Sequence, residues 1–277
     1  MNYLEDLWRR YLDQPHEVSF ETQTLCNARC TFCPYPTLER LGTRMPDELI
    51  ERIVEQLAAF EVPFYVSPFK LNEPLLDARV LPLCEHINRE VPTALLRLFT
   101  NGQALTPRAI DSIAGLQRLA HLWISLNSHD PVEYERLMGL DFDKTVKRID
   151  YLHTSDFPHP VMLSCVGYPN EAFRHYCFGR WPKFDSVAIK RDAWIDYLPS
   201  QALVPDTACG RWFELSITAT GVVSHCCMDA EARFPIGNVK TQTLLEIYNA
   251  PFWRERRDKL LSRKVLDERS PCARCSY

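Results

Sequence analysis

Two periods of apolar residues take turns along this chain. Runs with the alternating or continuously apolar pattern of strands are HEVSFETQTL (16–25), VPFYVSPFKL (62–71), TALLRLFT (93–100), LAHLWISL (119–126), PVMLSCVG (160–167) and FDSVAIK (184–190). Between them lie stretches with helical spacing, such as PDELIERIVEQLAAF (46–60), ARVLPLCEHINRE (78–90), TPRAIDSIAGL (106–116) and FDKTVKRIDYLHT (142–154). Pro46-Asp47-Glu48 and Thr106-Pro107 mark helix starts, with a proline that the first turn tolerates. Strands alternating with helices of this length form a parallel sheet, and right-handed crossovers would curl six of them into an open barrel. CGRWFELSITATGVVSHCCMD (209–229) then reads as a β-hairpin turning at Ala219-Thr220-Gly221, and IGNVKTQTLLEIYNAPFWRERRDKL (236–260) as a short turn followed by helix. The Pro-containing stretch DYLPSQALVPDTA (196–208) divides the two regions. The expected fold is α/β, a partial (β/α)6 TIM-like barrel over residues 1–195 with a small β-hairpin-plus-helix module over residues 196–277.

Composition narrows the function classes. A chain of 277 residues with 46% hydrophobic content can bury a sizeable core. No apolar run approaches the roughly 20 residues of a membrane helix. The opening MNYLEDLWRRYLDQ mixes acids and bases where a secretion signal is apolar, so a cytoplasmic protein is expected. A net charge of -4 offers no general basic field for nucleic acid or anionic lipid, so neither partner is expected and the substrate should not be a polyanion.

The eleven cysteines change the picture most. Without an export signal they point to metal or redox chemistry rather than to disulfides. Cys84, Cys165 and Cys177 stand alone and read as buried packing residues. Cys26, Cys30 and Cys33 form a compact triplet after the first strand, at the rim where α/β barrels carry active sites. Three thiolates from one loop suit three irons of a [4Fe-4S] cluster, leaving the fourth iron open to a ligand that is not protein. A zinc site completed by a distant residue is the alternative. Cys209 and Cys226 on the hairpin, with Cys272-x2-Cys275, supply a second set of four thiols, for which a zinc ribbon is again the alternative.

CNARCTFC, with Cys26-x3-Cys30-x2-Cys33 and Phe32 before the third cysteine, resembles the hallmark of the radical S-adenosylmethionine (SAM) enzymes. Asn72-Glu73-Pro74 stands where that family has Gly-Gly-Glu; Glu73 matches and Asn72 departs. Thr100-Asn101-Gly102 and Ser125-Leu126-Asn127 fall at the next two strand ends. The resemblance implies that Phe32 stacks on adenine, that the backbone around Asn72, Glu73 and Pro74 meets the SAM amino group, and that Asn101, Ser125 and Asn127 lie by its carboxylate and ribose. It also implies reductive cleavage of SAM to a 5'-deoxyadenosyl radical, with flavodoxin or ferredoxin as reductant. Cys209-x11-Gly221-x4-Cys226 followed by Cys272-x2-Cys275 is similar to the shortened SPASM, or twitch, module, which implies one auxiliary [4Fe-4S] cluster and two clusters in all.

Two further residues are candidates for catalysis. Cys227, beside Cys226, is read three ways: as a residue on the hairpin's other face, as a spare ligand, or as a hydrogen-atom donor to a substrate radical. Arg191, at the end of the sixth strand with Lys190 and Asp192, is a candidate to bind substrate or the SAM carboxylate. His129, His175 and His225 read as surface or packing residues.

Three functions follow from this reading. The first is dehydrogenation or epimerisation of a small polar substrate resembling a sugar or aminoglycoside, with a role in natural product biosynthesis. The second is modification of a ribosomally made peptide, which the 25 residues before Cys26, short for a leader-binding domain, make less favoured. The third is a non-enzymatic zinc or electron-transfer protein.

Overall fold

A computed structural model describes residues 2–167, 170–189, 194–195, 197 and 203–275. The chain begins with α1 (Tyr3–Tyr11) and β1 (Glu17–Phe20), followed by α2 (Asp47–Leu57), β2 (Phe64–Ser67), α3 (Val80–Glu90), β3 (Ala94–Thr100) and α4 (Pro107–Ala114). Next come β4 (Leu119–Ser125), α5 (Pro131–Met138), α6 (Phe142–Thr154), β5 (Val161–Val166), α7 (Glu171–Arg180) and β6 (Asp185–Ile189). The C-terminal region holds β7 (Glu214–Ile217), β8 (Val222–Ser224), β9 (Pro235–Asn238), α8 (Leu244–Tyr248) and α9 (Pro251–Asp258).

The nine strands among the described residues join one open sheet in the order β6-β5-β4-β3-β2-β1-β7-β8-β9. From β1 to β6 neighbours are parallel, as the strand-helix alternation predicts. The hairpin extends this sheet: β7 pairs parallel with β1, register Val18↔Leu215, and β8 and β9 follow antiparallel. β9 occupies part of the stretch read as a turn, because Val222 and Val223 on β8 pair with Asn238 and Gly237.

Local chemistry explains the helix boundaries. Thr106, Asp130, Asp141 and Asn170 each cap a helix by accepting a backbone N–H three residues on. Pro107, Pro131 and Pro251 take the first turn, whereas Pro46 sits one position earlier, at the cap itself. Strand alternation separates two faces. In β3, Ala94, Leu96, Leu98 and Thr100 are buried, and the three apolar side chains among them join Ile53, Ile87 and Ile149 of the helices in the main core. Burying each of these leucines and isoleucines contributes roughly 1.5–3 kcal/mol.

The other face is half-buried and carries Glu17, Tyr65, Arg97, Phe99, His121 and Trp123. There Arg97 pairs with Glu17 at 2.7 Å and lies 3.4 Å over the Tyr65 ring, and Trp123 Nε1 donates to Ser164 Oγ at 2.7 Å. Among the described residues no helix is long and apolar enough to cross a membrane.

Candidate active site at the strand ends

The cysteine triplet lies in a long loop that leaves β1 at Phe20, earlier than the apolar run suggested. Three tethers fix this loop to successive strand ends. After β2, the Glu73 backbone N–H donates to the carbonyl of Leu25 at 2.8 Å. After β3, Asn101 Nδ2 donates to Asn27 Oδ1 at 2.7 Å. After β4, Asn127 Nδ2 and Cys30 Sγ both meet Met138 Sδ, at 2.9 and 3.4 Å. Backbone bonds from Arg29 and Thr31 to the carbonyls of Met138 and Leu137 complete the seating on α5.

Cys26, Cys30 and Cys33 are partly exposed. Burial pushes the Cys26 thiol up to about 11. Burial raises Cys30 further, and the neighbouring Cys33 and Cys26 add to it. Thiols that oppose one another's ionisation form a donor set that a cationic iron site would neutralise. The triplet therefore fits the group its spacing suggests.

The surrounding residues are brought together at the same rim. Glu73 is fully buried and accepts from Thr100 Oγ1 at 2.8 Å, from the Asn101 N–H at 2.7 Å and from the Leu75 N–H at 3.2 Å. Burial outweighs these bonds and raises its carboxyl to about 7. Asn72, also buried, accepts from the Lys70 N–H at 3.1 Å and leaves Nδ2 unpaired. Pro74 opens a turn of 3-10 helix. Ser125 ends β4, and its carbonyl accepts from Asn127 Nδ2 at 3.4 Å. Asn127 has φ of 62°, a left-handed backbone that asparagine tolerates, and its Oδ1 accepts the Val166 N–H at 3.0 Å. Phe32 packs on the main core and its carbonyl accepts from Trp194 Nε1 at 3.0 Å. Arg191, with Lys190 and Asp192, lies outside the described residues.

The second thiol set comes together around the hairpin. Cys209, Cys226, Cys272 and Cys275 line one cavity with Trp212 and His225; Cys227 is not among its described lining residues. Burial raises Cys209 to about 12 and Cys226 well above the usual thiol range. Four thiols around one cavity supply the donor set that a [4Fe-4S] cluster takes. No disulfide joins any of the eleven cysteines, all of which are described.

Three features escaped the sequence reading. Lys70 is buried, with Nζ donating to Ser216 Oγ at 3.0 Å and Ser224 Oγ at 2.8 Å, and with the carbonyls of Cys226 and Cys227 at 3.4 Å. It ties the end of β2 to the hairpin; a lysine inside the apolar run VPFYVSPFKL was the available signal. Glu21, buried and paired with Arg40, also accepts the backbone N–H groups of Leu71 and Ala219 at 3.2 Å, joining β1, the β2 loop and the hairpin turn. His225, read as packing, places Nε2 2.8 Å from Cys272 Sγ.

The radical SAM superfamily model matches residues 20–176, and that of an iron–sulfur cluster-binding domain (SPASM) matches residues 209–276. The S-adenosyl-L-methionine-dependent 2-deoxy-scyllo-inosamine dehydrogenase of Niallia circulans is 24% identical over 257 residues, 91% of this chain and 86% of its own. Among solved structures, BtrN in complex with AdoMet and 2-DOIA aligns with a TM-score of 0.64 at 16% identity, over 94% of this chain and 91% of that one. Streptococcus suis SuiB bound to precursor peptide SuiA aligns with a TM-score of 0.69 at 15% identity, over 98% of this chain and 72% of that one. At such identities the solved structures share the fold. The first match spans more than half of the chain, including the thiol triplet and the strand ends tethered to it, so the chain belongs to the radical SAM superfamily: an enzyme that uses SAM and a [4Fe-4S] cluster and carries an iron–sulfur cluster-binding domain behind its barrel.

Proposed function

We propose that this enzyme dehydrogenates a small polyhydroxylated or amino-bearing ring, of the sugar or aminocyclitol class, using an auxiliary [4Fe-4S] site as electron acceptor. The observation that carries the reading is the cavity lined by Cys209, Cys226, Cys272 and Cys275, which lies between the C-terminal segment and a hairpin hydrogen-bonded to the first barrel strand. An acceptor placed there is continuous with the barrel, as oxidation of a barrel-bound substrate requires. The full-length likeness to a dehydrogenase of an aminocyclitol supports the same class.

In this reading Cys26, Cys30 and Cys33 hold the cluster that leaves one iron open, and Phe32, Asn72, Glu73, Pro74, Asn101, Ser125 and Asn127 surround SAM. When bound, that pair supplies a carbon-centred radical able to take hydrogen from an unactivated C–H bond. The chain's own work is to hold one C–H in place and keep water out. Phe99 and Trp123 offer aromatic surface for a ring, on the sheet face where Arg97 covers Tyr65 and pairs with Glu17. Arg191 is the candidate for substrate binding, and Cys227, off the cavity, would serve a hydrogen-returning variant of the chemistry. Flavodoxin or ferredoxin as reductant and a cytoplasmic setting suit thiols kept reduced.

The test is incubation of the reconstituted enzyme with SAM, dithionite and 2-deoxy-scyllo-inosamine or related aminocyclitols. Substrate-dependent 5'-deoxyadenosine, carrying deuterium from a labelled substrate and matched by a ketone, supports dehydrogenation. Deuterium transfer with an epimer and no ketone, or turnover of peptides alone, contradicts it.

A further inference from the structure

Cys272 differs from the other thiols of its cavity in what surrounds the sulfur. His225 Nε2 lies 2.8 Å from it and Trp212 Nε1 3.4 Å from it, and all three side chains are buried. Among the described residues His225 Nδ1 has no hydrogen-bond partner, so the imidazole proton is assigned to Nε2, the nitrogen that faces the sulfur. Arg256, also buried, interacts electrostatically with the same sulfur. The arrangement is rigid: the His225 ring packs 4.8 Å from Trp253, and the Arg256 guanidinium stands 4.9 Å from Trp253 and 5.8 Å from Trp212. Indole and guanidinium are permanent donors, so the contributions of Trp212 and Arg256 do not depend on a group gaining or losing a proton.

We propose that Trp212, His225 and Arg256 are positioning residues that act through the Cys272 sulfur to raise the reduction potential of the auxiliary cluster. The inference rests on the reading of that cavity as an auxiliary [4Fe-4S] site. Reduction adds negative charge to a cluster and its thiolates. Donors and a cation aimed at one sulfur stabilise that added charge, so they favour the reduced form. A raised potential is the property an electron acceptor needs, and α9 contributes to it Arg256 and the Trp253 ring on which His225 packs.

The test is a potentiometric EPR titration of the anaerobically reconstituted full chain with SAM present, read on the signal that SAM does not perturb. Trp212→Phe and His225→Phe should each keep the native iron content and shift the midpoint to more negative values. The double variant should shift it further, and His225→Gln, which returns an N–H donor, should recover part of the loss. An unmoved midpoint at native iron content overturns the proposal while leaving the auxiliary site intact. Loss of the auxiliary iron in His225→Phe but not in Trp212→Phe overturns it too, because His225 would then be a ligand. If the native chain gives no SAM-insensitive iron–sulfur signal, the auxiliary-site reading fails and the proposal with it.

Discussion

The ends of β2 and β3 are joined by a 2.7 Å hydrogen bond from the Asn101 backbone N–H to the carboxylate of Glu73. Glu73 is thereby held between two strand ends and, through its own N–H, against Leu25 beside the first cysteine. The arrangement costs stability at neutral pH, because burial raises the Glu73 carboxyl to about 7. The folded state holds its proton above the unfolded value, so this group's contribution is complete below about pH 4.5 and is lost as pH rises through 7. Glu73→Gln removes that dependence. Denaturant titrations of the metal-free protein should show the variant gaining roughly 3 kcal/mol on the native chain between pH 4.5 and 7. A constant difference across that window would contradict the assignment.

His16 acts in the opposite sense over an overlapping window. It sits between Tyr11 and Tyr65, and burial, with Arg97 adding to it, lowers its pKa to about 4. The unfolded chain binds the proton first, so stability is complete above about pH 6.5 and falls as pH drops from there toward 4. His16→Phe should remove this share of the acid-side loss, while His225, which burial also lowers to about 4, keeps its own. Melting temperatures measured from pH 4 to 8 should rise less with pH in His16→Phe than in Glu73→Gln.

Arg40 and Glu21 form the buried ion pair on which three segments meet, with Arg40 also donating to Thr24 Oγ1 and to the carbonyl of Ala230. Arg40→Met strands the Glu21 charge in the interior and should cost about 3–5 kcal/mol in urea denaturation. Because Glu21 also holds Leu71 and Ala219, the iron bound after reconstitution should fall at both thiol sets and not at the N-terminal one alone.

The hairpin turn demands a glycine. Gly221 has φ of +86°, and a Cβ there would stand 3.0 Å from Leu49 Cδ2 and 3.4 Å from Asn238 Oδ1. Gly221→Ala should cost about 1–3 kcal/mol and displace the segment carrying Cys226. Iron analysis should show the loss concentrated in the SAM-insensitive signal.

The barrel was legible in the sequence because strand and helix periods differ and each unit is long enough to display its own. The six strand runs and the thiol spacings needed no tertiary information. What escaped was set by tertiary contact. β9 is a strand because Val222 and Val223 offer it an edge, although its own residues, Pro235 to Asn238, include proline and glycine, which strands disfavour. Lys70 is buried because two serines from the distant hairpin receive its ammonium, and His225 meets Cys272 across 47 residues. Such pairings leave no periodic trace. The cluster thiols were readable because several ligands from one short loop must share a spacing, whereas the groups tuning them need only converge in space.

The most direct measurement is the iron and sulfide content, with EPR spectra with and without SAM, of the anaerobically reconstituted native chain and of a Cys26→Ala, Cys30→Ala, Cys33→Ala variant. Two sites require about eight irons in the native chain and about four in the variant, with the SAM-perturbed signal lost from the variant. Stoichiometric zinc, or a SAM-perturbed signal that survives removal of the triplet, would contradict the assignment of Cys26, Cys30 and Cys33 to the catalytic cluster.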